Sequence, residues 1–311
     1  MIGVFFIIFF SSLKHEDLIK VSRLLFILFL FLLILVPFFG IEVKGSKRWI
    51  DLFFLPRFQP IELLKPFLIV FIAIILSDEN NKNIYYKYFL SFLIIIPVIL
   101  LLIIQPDIGQ SLLIFLTWLS LIFVSGINLM IFFIFFILVL MSLIALIFLF
   151  PNKFGYILFR LESFFDPSSG NNYQSEKASE AIINGGFFGK GIGEGTLKNR
   201  VPEAHTDYIV SVISEEFGVL FIIFLMVIFL FFVYQVFKKI YFENNNQIKL
   251  ILVGSISIIL LQALIHIGVN IRLFPTTGMT LPYISYGGSS IISTSILSGI
   301  ILNLTKRRVT Q

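Results

Sequence analysis

Eight long apolar stretches, at about 21–40, 60–77, 89–104, 108–126, 129–150, 207–237, 248–271 and 282–304, constrain this chain more than anything else in its sequence. An α-helix needs about twenty such residues to cross roughly 30 Å of hydrocarbon. Only helices and closed barrels satisfy their backbone polar groups there. A barrel would show alternating segments of about ten residues, and these are absent. The expected fold class is all-α: a polytopic integral membrane protein with about eight full transmembrane helices. Residues 1–10, "MIGVFFIIFF", are a further apolar piece, too short to span. They lack the basic stretch and cleavage site of a secretory signal. A beginning half-way through a helix suggests a truncated or misassigned start.

Composition agrees. The chain of 311 residues is 58% hydrophobic and 13% charged, with a mean hydropathy of +1.00; soluble domains carry about 25% charged residues. It has no cysteine, so disulfide and thiolate–metal chemistry are excluded. The 39 phenylalanines read as lipid-facing filler. The net charge of +5 is ordinary for a membrane protein with lysines in its loops and implies no nucleic-acid partner. Lys and Arg sort the loops: Lys14, Lys20, Arg23, Lys82, Lys87, Lys238, Lys239, Lys249, Lys306, Arg307 and Arg308 fall on one side. Lys44, Lys47, Arg48, Arg57 and Arg272 fall on the other. The richer side is cytoplasmic, so the C-terminus is expected there. The 41–59 loop is then a basic exception on the outer side. Residues 151–206 form a large extracytoplasmic loop, the one segment long enough for an external working region.

Ionisable residues inside spans are rare and mark sites or pathways. Glu62 and Lys65, in "QPIELLKPF", are spaced i,i+3 and can pair on one helix face. They read either as a structural pair or as a site cation held in place by Glu62. Asp107, in "QPDIGQS", is placed to cap the helix beginning near Ile108. His266 reads as an interhelical hydrogen-bonder; a zinc site is not expected, because there is no second histidine nearby and no H-E-x-x-H. The run "GGFFGKGIGEG" (185–195) lacks the ending of a phosphate loop, but its glycines permit tight turns. Ser289 and Ser290, in "YGGSS", are placed to cap the last helix and to present backbone N–H groups to an anion.

The densest cluster is "PEAHTDYIVSVISEE" (202–216), where the long loop meets an apolar helix. If that helix starts at Asp207, then Asp207, Ser211, Ser214 and Gly218 share one narrow stripe at 100° per residue. Such a stripe faces protein or water. Glu215 flanks it and Glu216 points away. A helix-terminal acid favoured by the macrodipole explains Asp207 but not the stripe beneath it. These features leave a transporter and a membrane enzyme both open.

Four blocks then carry a resemblance: "KGSKRWIDLFFLPRFQPIELLKP" (44–66), "QPDIGQS" (105–111), the stretch from "YQSEKASEAIINGG" to "AHTDYIVSVISEEFG" (173–218), and "FPTTGMTLPYISYGGSS" (274–290). In order and spacing they are similar to the SEDS family, which includes FtsW, RodA and SpoVE. The third and fourth blocks look most like the division branch, FtsW. The family has ten spans, and this chain corresponds to a member without the first span and part of the second. The resemblance implies one membrane domain over 1–311. It implies a peptidoglycan glycosyltransferase that polymerises lipid II at the outer face of the cytoplasmic membrane, at the division septum. Asp207, from the "HTD" motif with His205, is the residue it marks as catalytic. It also draws attention to Lys47, Arg48 and Trp49, and to Glu62 and Lys65. Ile61 and Gln110 depart from the family's usual serine and threonine.

Read as that enzyme, Asp207 is expected to be the general base for the acceptor hydroxyl. Partial burial could bring its pKa near the working pH. Lys47, Arg48 and Lys65 would balance the donor's diphosphate. A divalent cation, Mg or Mn, could share that task with Glu62 or Asp107 as an oxygen ligand. The expected partners are lipid II, a class B penicillin-binding protein and other division proteins. The rival readings are a lipid II flippase, a scaffold that only recruits a transpeptidase, and the elongation (RodA-type) or sporulation branch.

Overall fold

The computed structural model describes residues 1–43, 45–52, 55–80, 83–149, 151–165, 173–197 and 200–306. Lys44, Lys82, Arg307 and Arg308, used in the loop-charge count, lie outside the described residues. The protein is mostly helical. Among the described residues, five helices are long and apolar enough to cross a membrane by length and composition. The chain divides into two compact units: residues 1–125, 232–261 and 287–311 form unit 1, and 126–231 with 262–286 form unit 2.

In unit 1, α1 (Ile2–Ser12) packs against α12 (Gly288–Thr305). At about 1.5 Å per residue, its 11 residues reach about half-way through a bilayer. Small residues set how closely these helices approach: a Cβ on Gly299 would lie 2.8 Å from the Phe10 side chain and 2.9 Å from the Ile7 carbonyl. Asn303 then closes the end of α1, donating from Nδ2 to the carbonyls of Phe10 (2.8 Å) and Leu13 (2.7 Å). Helix α2 (His15–Phe39) packs on α3 (Pro60–Leu76), which is buried over most of its length. Helices α4 (Ile84–Ile104) and α5 (Ile108–Val124) follow, joined by Trp118 Nε1 donating to Ser91 Oγ (3.1 Å).

The 41–59 loop departs from the all-α expectation. It folds into a small antiparallel sheet of β1 (Ile41–Val43), β2 (Ser46–Leu52) and β3 (Leu55–Phe58), in that order. Ile41 pairs with Trp49 and Glu42 with Lys47, so Arg48 is the extra residue of a bulge in β2. Bulges re-aim side chains, and this one takes Arg48 out of the ladder.

In unit 2, α6 (Leu129–Leu149) is followed by two helices inside the stretch read as a loop, α7 (Pro151–Phe165) and α8 (Tyr173–Gly185). The apolar stretch 207–237 is not one helix. It is divided into α9 (Ile209–Phe217) and α10 (Val219–Phe242). Gly218 sits between them at φ 83°, where its N–H bonds to the Ser214 carbonyl. A Cβ there would lie 2.2 Å from the Phe187 carbonyl, so the crossing of the 186–190 segment demands glycine. Helix α11 (Asn246–Asn270) ends in a strap over 271–287.

Candidate functional site

In unit 1, Arg48, Gln59, Glu62, Lys65, Asp107 and Gln110 form one connected cluster. Lys65 Nζ lies 2.7 Å from Glu62 Oε2, and both side chains are buried, Lys65 completely. Gln110 Nε2 donates to Glu62 Oε1 at 2.5 Å. Asp107 caps α5 as expected, accepting from the Gln110 N–H (3.4 Å), and accepts from Gln59 Nε2 (2.8 Å). The bulge sends Arg48 to the same place. Its Nη1 lies 3.7 Å from Asp107 Oδ1, Nε donates to the Gln105 carbonyl (3.1 Å), and Nη2 donates to the Pro106 carbonyl. In this interhelical turn, burial pushes the Asp107 carboxyl above the usual carboxylate range, and the Arg48 guanidinium pulls it the other way.

Ser289 does not cap α12. The N-cap is Gly287, and the Ser289 hydroxyl accepts the Gln59 N–H (3.0 Å) instead. Lys47 and Trp49 flank the bulge without joining the cluster: Lys47 is exposed opposite Glu42, and Trp49 is half-buried. The carboxylates offered as metal ligands fit that role poorly. Glu62 is committed to Lys65 and Gln110, and Asp107 to Gln59, Gln110 and Arg48. Among the described residues no three His, Asp or Glu side chains gather as a metal would need.

Asp207 and His205 belong to unit 2 and lie in a turn over 202–208, before α9 begins. The helix thus starts two residues later than the stripe assumed, although Ser211 and Ser214 are buried as it required. Glu203 anchors the turn at φ 56°, its carbonyl accepting from the N–H groups of Thr206 (3.1 Å) and Tyr208 (3.2 Å). Thr206 Oγ1 donates to Glu203 Oε2 (2.9 Å).

Asn270, fully buried at the end of α11, ties the turn to that helix. Its Nδ2 donates to the Asp207 carbonyl (3.0 Å), and its Oδ1 accepts the Ser211 N–H (3.2 Å). The strap holds the other side. Ser285 Oγ donates to the Thr206 carbonyl (2.7 Å), and the Tyr286 N–H donates to the His205 carbonyl (2.9 Å). His266 Nδ1 lies 2.7 Å from the Met279 carbonyl, so the histidine ties α11 to the strap rather than to a second helix as expected.

The result is a half-buried aspartate on a backbone fixed from three directions. The same turn opens on a cleft of about 670 Å³ whose polar lining is Glu203, His205, Thr206, Glu216 and Tyr286. Glu215 lies behind it, fully buried, accepting from Asn184 Nδ2 (3.0 Å) and from the N–H groups of Thr196 and Leu197 (2.9 Å each). It secures the glycine run, in which Gly189, Gly191 and Gly193 take positive φ. Asn270 was not singled out from the sequence. A buried amide at the end of an apolar span was the available signal.

A polytopic helical protein with a rigid acidic turn at an open cleft is the class this defines. The chain belongs to the FtsW/RodA/SpoVE family, described as cell cycle proteins, whose pattern matches residues 1–310. It is 33% identical over 298 residues to a "Probable peptidoglycan glycosyltransferase FtsW" of Caulobacter vibrioides, covering 96% of this chain and 75% of that one. A protein of the same description from Coxiella burnetii is 38% identical over 288 residues, covering 88% and 75%. Among solved structures, a chain from a peptidoglycan synthase complex that coordinates polymerization and crosslinking superposes with a TM-score of 0.79 at 26% identity. It covers 98% of this chain and 86% of that one. The rod shape determining protein RodA of Thermus thermophilus gives 0.72 at 26% identity, covering 100% and 86%.

Proposed function

We infer that this protein is a peptidoglycan glycosyltransferase of the division type, polymerising lipid II at the outer face of the cytoplasmic membrane. The observation that carries the reading is Asp207, half-buried in a turn whose backbone is fixed by Asn270, Ser285 and Glu203 and whose preceding residues Glu203, His205 and Thr206 line an open cleft. Fixed geometry is what a general base requires. Asp207 takes the proton of the acceptor sugar's hydroxyl as its oxygen attacks the donor's anomeric carbon. The bond from that carbon to the diphosphate oxygen breaks, and its electron pair leaves on undecaprenyl diphosphate. One displacement inverts the anomeric centre. The division branch is favoured by relatives named FtsW that are 33–38% identical.

A class B penicillin-binding protein is the partner, a reading supported by the superposition on a synthase complex that couples polymerization to crosslinking. The loop charges support a cytoplasmic C-terminus, and the division branch supports a location at the septum. The test uses purified protein, its transpeptidase partner and labelled lipid II. Asp207→Asn is expected to slow glycan-strand formation by roughly 10²–10⁴-fold. A normal rate in that variant removes Asp207 as the base. Wild type that makes no strands but moves lipid II across vesicles replaces the enzyme with a flippase.

A further inference from the structure

Unit 1 holds a cavity of about 620 Å³ that its polar cluster does not line. It opens among the first turns of α2 and α4, the segment after α3, and residues 244–247, which lead into α11. Its charged lining is evenly divided: Arg23 on α2 and Lys87 on α4 face the same space as Asp78 and Glu79, just past α3. None of the four is in a salt bridge among the described residues. Asp78 Oδ1 accepts the Asn80 N–H (3.1 Å), while Arg23, Lys87 and Glu79 have no side-chain hydrogen bond there. Two cations and two carboxylates thus share one cavity without neutralising each other.

The helices that supply the cations turn apolar and exposed immediately beyond them. Leu24, Ile27 and Leu28 follow Arg23 on α2, and Phe89 and Leu93 follow Lys87 on α4. Both helices are long and apolar enough to cross a membrane, so these side chains face lipid. Ile74, Ile75 and Leu90 carry the apolar character into the cavity wall. A ligand whose head fills the cavity can therefore lay its tail along α2 and α4, which describes an amphiphile. An anionic headgroup alone is a poor match, because sites for such lipids are basic and this one carries a carboxylate for every cation.

We propose that this cavity binds the headgroup of a zwitterionic phospholipid with a primary ammonium, phosphatidylethanolamine, with Arg23 and Lys87 on the phosphate and Asp78 and Glu79 on the ammonium. The planar guanidinium suits phosphate oxygens. A primary ammonium has three N–H donors to satisfy, and the two carboxylates with the Asn244 and Asn246 amides in the lining offer the acceptors. The trimethylated nitrogen of choline has no N–H to give, and phosphatidylglycerol brings no cation to face the carboxylates. Lys14, Lys20 and Lys249 sit at the same ends of α2 and α11, so the loop charges assign this lipid to the cytoplasmic leaflet. Nothing in the site depends on the reaction assigned to Asp207.

The test uses the full chain in nanodiscs of phosphatidylcholine doped with equal amounts of phosphatidylethanolamine and phosphatidylglycerol. Native mass spectrometry reads the lipids retained. Wild type is expected to retain phosphatidylethanolamine about tenfold or more over either competitor, mole for mole, the size of one hydrogen bond to a charged group. Arg23→Gln and Lys87→Gln each weaken that retention by a similar factor. Glu79→Gln combined with Asp78→Asn abolishes the preference and admits phosphatidylglycerol, because the cations then stand alone. The unfolding midpoint stays at the wild-type value in all of them, since none of these side chains is buried or in a salt bridge. A lost preference then reports the site and not the fold.

Equal retention of the three headgroups by wild type overturns the site, and so does a preference that survives both Arg23→Gln and the double carboxylate variant. Wild type that favours phosphatidylglycerol overturns the zwitterionic headgroup and leaves an anionic-lipid site in its place. Free phosphoethanolamine that displaces the lipid at equal concentration overturns the lipid as occupant, because the acyl chains along α2 and α4 then add nothing.

Discussion

The ionisable groups around Glu62 and those around Asp207 meet water in opposite ways. In unit 1, Glu62, Lys65, Asp107 and Gln110 are all buried, and each is bonded within the cluster. Arg48 is the half-buried edge of that group. In unit 2, the turn that carries Asp207 has the carbonyls of Glu203, His205, Thr206 and Asp207 all bonded while its side chains reach a cleft: His205 is exposed, and Glu203, Thr206, Glu216 and Tyr286 line the opening. One region spends its charges on each other. The other spends its backbone on rigidity and leaves side chains for a ligand. A buried, mutually satisfied pair is weak evidence of chemistry, whereas fixed groups at an open cleft are the usual form of a site.

Removing one partner from the closed cluster tests this contrast hardest. Lys65→Ala leaves Glu62 buried with its countercharge gone, a loss of about 3–5 kcal/mol in stability. Replacing both residues, Glu62→Gln with Lys65→Met, is expected to recover most of it, since no charge is then stranded. Thermal unfolding in detergent reads both. A Lys65→Ala protein that melts with the wild type would mean that the pair is not a structural unit.

Glu215 is the exception inside unit 2, a buried carboxylate behind the cleft. Glu215→Ala strands the Thr196 and Leu197 N–H groups and is expected to cost roughly 3 kcal/mol. Limited proteolysis should then cut the 186–197 segment first. Unchanged protection there would show that the glycine run holds its own shape.

What the sequence made legible follows from the range of each interaction. The Glu62–Lys65 pair and the Asp107 cap depend on neighbours three residues away, and both are formed. The break at Gly218 was hidden in a continuous apolar run, because its cause is a carbonyl from Phe187, far upstream. Hydropathy cannot register a positive φ. Asp207 was legible as the acid of the cluster, but the residue that fixes its backbone, Asn270, comes from another helix 63 positions on. Ser289 resembled a cap by position, and a distant partner, the Gln59 N–H, claimed its hydroxyl. The 41–58 sheet was read as a basic loop because its strands are short, 3, 7 and 4 residues, and carry charges on exposed positions.

That sheet supplies the smallest and most discriminating effect. Lys47 and Arg48 are adjacent, equally charged and equally plausible from sequence as diphosphate ligands. The bulge separates them. Arg48 leaves the ladder to meet Asp107, while Lys47 stays in register opposite Glu42, exposed to solvent. An exposed cross-strand pair contributes only a few tenths of a kcal/mol. Lys47→Ala should therefore shift stability by no more than about 0.5 kcal/mol and leave the polymerisation rate within about twofold of wild type, the factor to which such an energy corresponds. Arg48→Ala exposes the opposite case: it strands the Asp107 carboxylate and two carbonyls, at about 3 kcal/mol. Measuring both variants by unfolding midpoint and initial rate separates position from charge. If Lys47→Ala proves as damaging as Arg48→Ala, then charge on the exposed face of the sheet matters for its own sake, and the bulge is not what sorts these two residues.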